Sequence, residues 1–131
     1  MKEDKIRFRV KYAEVDRQDA VYHAYYFIWF DMGRTEFLRK IGVSYKELED
    51  QGFLLVVTKA KIKYLSPARL DDEILLKTRF VRKTRIRLVF EYEVFRERDN
   101  KLLTIGETEL ACISREGKAV RIPEVVAKNL G

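Results

Sequence analysis

The DRQD segment, residues 16–19, separates an alternating strand pattern from the most apolar stretch of the chain. Two carboxylates, Asp16 and Asp19, therefore stand directly before a predicted helix. The first backbone N–H groups of a helix have no intrahelical acceptor and attract oxygen anions. A carboxylate beside such donors can activate water as a general base or attack a carbonyl as a nucleophile, while the donors hold the developing oxyanion. The segment thus predicts carboxylate chemistry on a carbonyl compound.

A structural role is an alternative for the same two carboxylates. Asp is a good N-cap residue, because its side chain accepts a hydrogen bond from a free amide in the first helical turn. Capping needs only one carboxylate, so the other stays available for chemistry. Both interpretations are open from the sequence alone.

Few other residues are suited to catalysis. His23 is the only histidine and Cys112 the only cysteine, which excludes an intrachain disulfide, a thiolate metal cluster and a zinc site with two histidines. The GVSYK segment at residues 42–46 lacks the second glycine of a nucleophile elbow. Cys112 lies within a strand pattern and is interpreted as a small core residue. Without a glycine-rich phosphate loop or ligands at metal spacing, the sequence predicts no cofactor and no metal.

The composition predicts a soluble globular protein. With 131 residues, we expect a single domain over residues 1–131. No stretch approaches the roughly 18 apolar residues of a membrane span, and the N-terminus lacks the pattern of an export signal, so we expect a cytoplasmic protein. The net charge is +6, which favours nucleic acid, an anionic membrane or a phosphate-bearing small molecule, or only reflects a solvated surface.

The first half of the chain predicts one strand and one long helix. Residues 6–13 alternate apolar and charged side chains, as in a half-buried strand. Residues from about 21 to 40 repeat apolar positions at helical spacing, and Gly42 is a suitable stop. Gly33 lies inside that helix, where it costs about 1 kcal/mol relative to alanine. This cost indicates close packing of the helix on a sheet.

The second half predicts a sheet. A short helix is expected from Ser44, which forms a capping-box pattern with Glu47 and is closed by Gly52. Asp99 and Asn100 mark a hairpin between two of the four long strands that follow, at residues 53–65, 72–83, 86–97 and 102–114. The order predicts an α+β fold in which a curved antiparallel sheet wraps a long central helix. Apolar residues on the second face of the sheet favour a partner subunit there.

Two stretches of the sequence resemble the hot-dog-fold acyl-CoA thioesterases of the 4-hydroxybenzoyl-CoA thioesterase and YbgC type. The first runs from YAEVD at residues 12–16 through VYHA at 21–24 to RTE at 34–36, and the second is YLSPARLDD at 64–72. The resemblance covers nearly the whole chain. It implies a hot-dog fold, hydrolysis of an acyl-CoA or acyl-carrier-protein thioester to free acid and thiol, and a homotetramer built from dimers.

The resemblance also implies roles for individual residues. Asp16 falls on the catalytic carboxylate, and His23 on the helix position whose backbone N–H polarises the thioester carbonyl. Tyr22 and Tyr26 are expected to contact a short or aromatic acyl group. The basic segment at residues 81–87 is expected either to receive the phosphates of coenzyme A or to be a solvated hairpin; its four basic residues are Arg82, Lys83, Arg85 and Arg87.

Two positions depart from the family pattern. Gly33 replaces the usual alanine, which relieves bulk, and Asp19 replaces a glycine that lets the backbone approach the thioester. A second negative charge beside an oxyanion site opposes catalysis unless its side chain points away. The alternative function is therefore a non-catalytic acyl-CoA or acyl-carrier binding protein. A nucleic-acid binder would rest on charge alone, because no recognition motif is present, and we expect no nucleic-acid partner.

Overall fold

The computed structural model describes residues 2–130. Within them, antiparallel strands form a sheet in the order β1-β3-β4-β5-β2. The strands are β1 (Glu3–Arg9), β2 (Leu54–Tyr64), β3 (Glu73–Lys83), β4 (Arg87–Arg96) and β5 (Lys101–Ile113), and the helices are α1 (Tyr25–Lys40), α2 (Tyr45–Asp50) and α3 (Glu124–Asn129). The four later strands lie within two residues of their predicted bounds, and the α+β class is confirmed.

Buried aromatic rings hold α1 against one face of the sheet. Phe30 stacks on Tyr92, with ring centroids 4.3 Å and ring planes 11° apart. About two helical turns further along α1, the ring of Phe37 packs edge-on against that of Phe90, with ring centroids 5.5 Å apart. All four rings are buried, and full burial of such a side chain stabilises the fold by roughly 1.5–3 kcal/mol. The N-terminus of α1 is therefore held at a defined place on the sheet.

The predicted close packing at Gly33 is confirmed. A Cβ atom at this position would lie 2.3 Å from Thr78 Oγ1 and 2.8 Å from Leu76 Cδ2. Both side chains belong to β3 and are buried. The helix and the sheet therefore approach so closely that alanine does not fit without a shift.

The predicted start of α1 is wrong by four residues. The helix begins at Tyr25 because the preceding residues are extended and pair with other segments. Val21 bridges Val15, and Ala20 bridges Arg69. These tertiary contacts override the helical spacing that begins near residue 21.

Other boundaries also differ from the prediction. β1 ends at Arg9, and a single 3-10 turn at Tyr12–Glu14 follows where the strand pattern continued. α3 begins after Pro123 at its N-cap, and no helix was predicted there. The capping interaction of α2 is present, since Ser44 Oγ accepts a hydrogen bond from Glu47 N at 3.4 Å.

The sheet face opposite α1 is more charged than expected. Because side chains alternate along a strand, the neighbours of the helix-facing residues point away from α1. Lys77, Arg79, Glu91 and Glu93 line a depression of about 600 Å³ there, with Ile105 exposed beside them. Among residues 2–130, no helix is both long and apolar enough to cross a membrane.

Candidate active site

The DRQD segment forms a tight hairpin turn that presents Asp16. The Asp16 amide donates to the Ala20 carbonyl at 2.9 Å, and the Asp19 amide donates to the Asp16 carbonyl at 3.3 Å. Asp16 Oδ1 accepts a hydrogen bond from Gln18 N at 2.9 Å. The side chain is exposed, and within residues 2–130 its Oδ2 atom has no hydrogen-bond partner. One carboxylate oxygen is thus used by the turn and the other is available.

Neither acidic residue of the turn caps α1. The N-cap is Ala24, and no side chain of the described residues accepts a hydrogen bond there. The capping interpretation of Asp16 and Asp19 is therefore wrong. No side chain of the described residues occupies the amide donors at the helix entrance, and neither carboxylate has a structural role as a helix cap.

Asp19 occupies its position with the backbone of a glycine. Its φ is +60°, a left-handed conformation that Asp adopts more readily than most residues. The Asp19 carbonyl accepts a hydrogen bond from Leu70 N at 3.0 Å, and the side chain is exposed. The chain path that glycine would provide is therefore preserved in this turn.

The resemblance implied that His23 lies on the helix. In the structure it lies in a turn immediately before α1. The Tyr25 amide donates to the Tyr22 carbonyl at 2.9 Å, but the amides of His23 and Ala24 have no acceptor among residues 2–130. Tyr64 Oη donates to the His23 carbonyl at 2.9 Å, which orients the peptide that follows. The unpaired amides at this entrance can hold an oxyanion.

A cleft of about 220 Å³ opens beside this turn. Tyr26 forms part of its floor, and its hydroxyl accepts a hydrogen bond from Ala68 N at 3.1 Å. Burial raises the pKa of the Tyr26 hydroxyl, so this group stays neutral at physiological pH. Tyr22 is 48% exposed and its ring lies 4.5 Å from that of His23. The lining residues are Val21, His23, Tyr26, Tyr64, Leu65, Ser66 and Pro67.

The two sequence stretches that carry the family resemblance meet at this site. Val21 N donates to the Ala68 carbonyl at 2.9 Å. Arg69 Nη1 donates to the Gln18 carbonyl at 3.1 Å. The segment at residues 64–72 therefore forms a wall of the cleft and also holds the DRQD turn.

The basic segment lies at the other end of the sheet. The start of β3 adjoins the DRQD turn, and Arg82 stands near its far end. β3 has 11 residues, and the steps from its first to its last residue, at roughly 3.3 Å each, span about 33 Å. Lys83 Nζ donates to the Ala127 carbonyl at 2.6 Å, and Arg87 Nε lies 3.6 Å from Glu109 Oε2. Arg85 is exposed in the same hairpin. Within one chain these residues do not join Asp16.

Sequence reasoning missed a buried polar cluster that ties α1 to α2 and the sheet. Arg34 is 5% exposed; its Nε donates to Tyr45 Oη at 3.0 Å and its Nη1 to Tyr92 Oη at 2.9 Å. The sequence marked Arg34 only as the first residue of the RTE stretch at residues 34–36, which gives no partner for it. Within residues 2–130, no group of three or more His, Cys, Asp and Glu side chains is placed to hold a metal ion.

Comparison with known proteins identifies the family of the chain. A sequence model of the thioesterase-like superfamily matches residues 10–130. The chain belongs to this superfamily. The predicted thioester hydrolase function is confirmed.

Relatives of this thioesterase cover most of its length. A putative esterase of Aquifex aeolicus is 32% identical over 124 residues, 95% of this chain and 94% of the relative. The acyl-CoA thioester hydrolase YbgC of Escherichia coli O157:H7 is 33% identical over 105 residues, 80% of this chain and 78% of the relative.

Solved structures share the fold. The DHNA-CoA thioesterase of Staphylococcus aureus has a TM-score of 0.88 at 33% identity, covering 92% of this chain and 81% of that one. A hypothetical protein from Aquifex aeolicus has a TM-score of 0.91 at 31% identity, covering 98% of this chain and 99% of the other. The predicted hot-dog thioesterase fold is confirmed.

Proposed function

We propose that this thioesterase hydrolyses acyl-CoA to a free acid and coenzyme A, with Asp16 acting at the reacting carbonyl and the His23 amide binding the carbonyl oxygen. The observation that carries the residue roles is the turn itself: it holds an exposed carboxylate in the segment that leads into α1, and this carboxylate caps none of the amides at the helix entrance. The acyl-CoA thioester hydrolase among the relatives supports the substrate class.

Two routes fit this arrangement. In the first, Asp16 takes a proton from water as the water oxygen attacks the thioester carbonyl, and the tetrahedral oxyanion then expels the thiolate. In the second, an Asp16 oxygen attacks the carbonyl and the thiolate is expelled, so that the acyl group forms a mixed anhydride with Asp16. Water then hydrolyses that anhydride. Both routes place negative charge on the carbonyl oxygen, where unpaired amides stabilise it.

Thiol release from short, long and aromatic acyl-CoAs tests the proposal. Asp16→Asn keeps the shape of the side chain and its acceptor oxygen in the turn, but removes the charge. We expect kcat to fall by roughly 10²- to 10⁴-fold, the usual effect of losing a general base, with an unchanged melting temperature. Asp50→Asn, at an exposed carboxylate of α2 paired with Lys46, is the matched control. Full activity of Asp16→Asn would remove Asp16 from the mechanism.

The alternative of a non-catalytic acyl-CoA or acyl-carrier binding protein was motivated by Asp19. The left-handed φ of this residue preserves the backbone path, which weakens that motive. Thermal stabilisation by acyl-CoA without thiol release would establish the binding protein. Release of thiol from an acyl carrier protein, but not from acyl-CoA, would instead identify the carrier protein as substrate.

We also propose a homotetramer made of two dimers. Within the described residues β2 pairs only with β5, at an edge of the sheet. Beside that edge Val57 and Leu65 are each 47% exposed, and exposed apolar groups on an open strand favour association. The cleft of about 220 Å³ is smaller than the roughly 300–1,000 Å³ of typical ligand sites, which favours a site that a second subunit completes. Light scattering behind size exclusion gives the mass, and a mass of one or two chains would refute the tetramer.

The assembly bears on the basic segment. In one chain the segment lies too far from Asp16 to serve the same substrate, so phosphate binding there requires the active site of a neighbouring subunit. Within residues 2–130, the side chains of Arg82 and Arg85 form no ion pair and donate to no carbonyl, in contrast to Arg87 and Lys83. Replacing Arg82 and Arg85 by glutamine tests this phosphate binding. A raised KM for acyl-CoA supports phosphate binding, and an unchanged KM supports a solvated hairpin.

We place the reaction in the cytoplasm, where acyl-CoA occurs.

A further inference from the structure

Glu14 is a buried carboxylate that the proposed reaction does not use. It is 8% exposed and lies two positions before Asp16. Its Oε2 accepts a hydrogen bond from Trp29 Nε1 at 2.9 Å, and its Oε1 accepts one from Lys11 N at 2.8 Å. Trp29 belongs to α1 and is fully buried. The Glu14 side chain therefore connects the segment before the DRQD turn to the central helix.

The backbone of Glu14 closes the loop that carries Asp16. The Glu14 carbonyl accepts a hydrogen bond from Tyr22 N at 2.9 Å. Next to it, Val15 bridges Val21, and the Asp16 amide then donates to Ala20. The loop is thus a closed unit, and the contact between Glu14 and Trp29 attaches this unit to α1.

We propose that Glu14 is a positioning residue, which, through Trp29, fixes the Asp16 carboxylate relative to the amides at the entrance of α1. The inference rests on the proposed function. Reacting groups must be held closely, since a misplacement of about 1 Å can cost roughly 10²-fold in rate. A carboxylate is required at this position because both donors are N–H groups and each needs an acceptor oxygen.

Glu14→Gln is the informative substitution, since an amide of the same shape offers one acceptor oxygen and directs an NH₂ group at the second donor. We expect kcat to fall by about 10-fold or more with little change in KM, because the substituted residue does not touch substrate. Ser44→Ala is the control for lost stability: it removes the N-cap of α2, which costs roughly 1 kcal/mol, and should leave kcat unchanged.

Trp29 gives an independent readout of the contact. It is the only tryptophan of the chain, so fluorescence excited at wavelengths that tyrosine does not absorb reports the surroundings of Trp29 alone. Glu14→Gln should change the emission of the folded protein, whereas Ser44→Ala should not. Trp29→Phe removes the N–H donor and keeps an aromatic ring, and kcat should fall in the same direction as for Glu14→Gln. A normal kcat in both variants would overturn the positioning role.

A double-mutant cycle separates positioning from a general structural effect. If Glu14 acts through Asp16, adding Glu14→Gln to Asp16→Asn should lower the residual activity no further. An equal additional fall in that background would overturn the proposal. If Asp16→Asn itself has full activity, the proposed function fails; if Asp16→Asn is inactive while Glu14→Gln keeps its kcat, only the positioning role fails.

Discussion

Replacing Asp19 by asparagine removes the second charge of the DRQD turn without changing its backbone. Asn is among the few residues that adopt left-handed φ values readily, so the φ of +60° at this position is retained. The carbonyl contact with Leu70 N is a main-chain interaction and is also retained. Any change in rate therefore reports the charge.

The expected effect is small because the turn is exposed. The Asp19 amide donates a hydrogen bond to the Asp16 carbonyl, and the Cα atoms at the two ends of such a turn lie within about 7 Å of each other. Two unit charges about 7 Å apart in water interact by roughly 0.6 kcal/mol. This energy corresponds to about a threefold change in rate, and salt at physiological strength reduces it further. Removing the charge should raise kcat, since the charge opposes the developing oxyanion.

The assay is thiol release at saturating acyl-CoA and 0.15 M salt, a concentration at which the screening length is about 8 Å. Asp50→Asn changes the net charge equally at a remote site and is the control. An increase in kcat of more than about tenfold for Asp19→Asn would exceed the exposed-charge estimate, and would show that Asp19 faces a dry reacting centre. A large loss of kcat would place Asp19 itself in the chemistry. Either result refutes the reasoning.

Two further substitutions and one labelling experiment test contacts of the candidate site and of the core. Tyr64→Phe removes the hydrogen bond to the His23 carbonyl; we expect a loss of transition-state stabilisation of about 1 kcal/mol, the size of one such bond, and hence a fall in kcat of about fivefold, and an unchanged kcat would show that this contact does not position the amides at the helix entrance. Gly33→Ala places a Cβ 2.3 Å from Thr78 Oγ1; overpacking of roughly 1–3 kcal/mol should exceed the helix gain of about 1 kcal/mol, and a higher urea midpoint would contradict this. Cys112 is buried and burial raises the pKa of its thiol, so a disulfide reagent should label it only after unfolding.

Local patterns in the sequence were sufficient to predict most of the fold. Alternation located β3, β4 and β5 to within two residues, because each strand buries one face against α1. The interior glycine at residue 33 indicated close packing and the structure shows it. Such features depend on residues near one another in the chain, or on a single interface.

Tertiary contacts explain where the sequence pattern was misleading. Apolar residues at helical spacing extend to residue 21, but Val21 and Ala20 pair with distant extended segments, so α1 starts later. The hairpin at residues 81–87 looked suitable for phosphates, yet the length of β3 separates it from Asp16. No local pattern encodes either distance.

Contacts between distant side chains also escaped prediction. Glu14 and Trp29 are 15 residues apart, and the sequence alone gives no reason to pair them. Tyr64 lies 41 residues from the carbonyl that it contacts, although it belongs to the stretch at residues 64–72 that carries the family resemblance. The resemblance was enough to propose Asp16 as the reacting carboxylate, whereas the groups that hold its turn could be named only from the fold.

Thiol release by Asp16→Asn and Asp19→Asn, compared on one acyl-CoA substrate, tests the central claim most directly. Both substitutions remove one charge from the same turn, so differences in overall charge or folding do not separate them. We predict a loss of roughly 10²-fold or more for Asp16→Asn, as for a lost general base, and a change within about threefold for Asp19→Asn. Equal activities, or the larger loss at residue 19, would contradict the assignment of Asp16 to the reacting carbonyl.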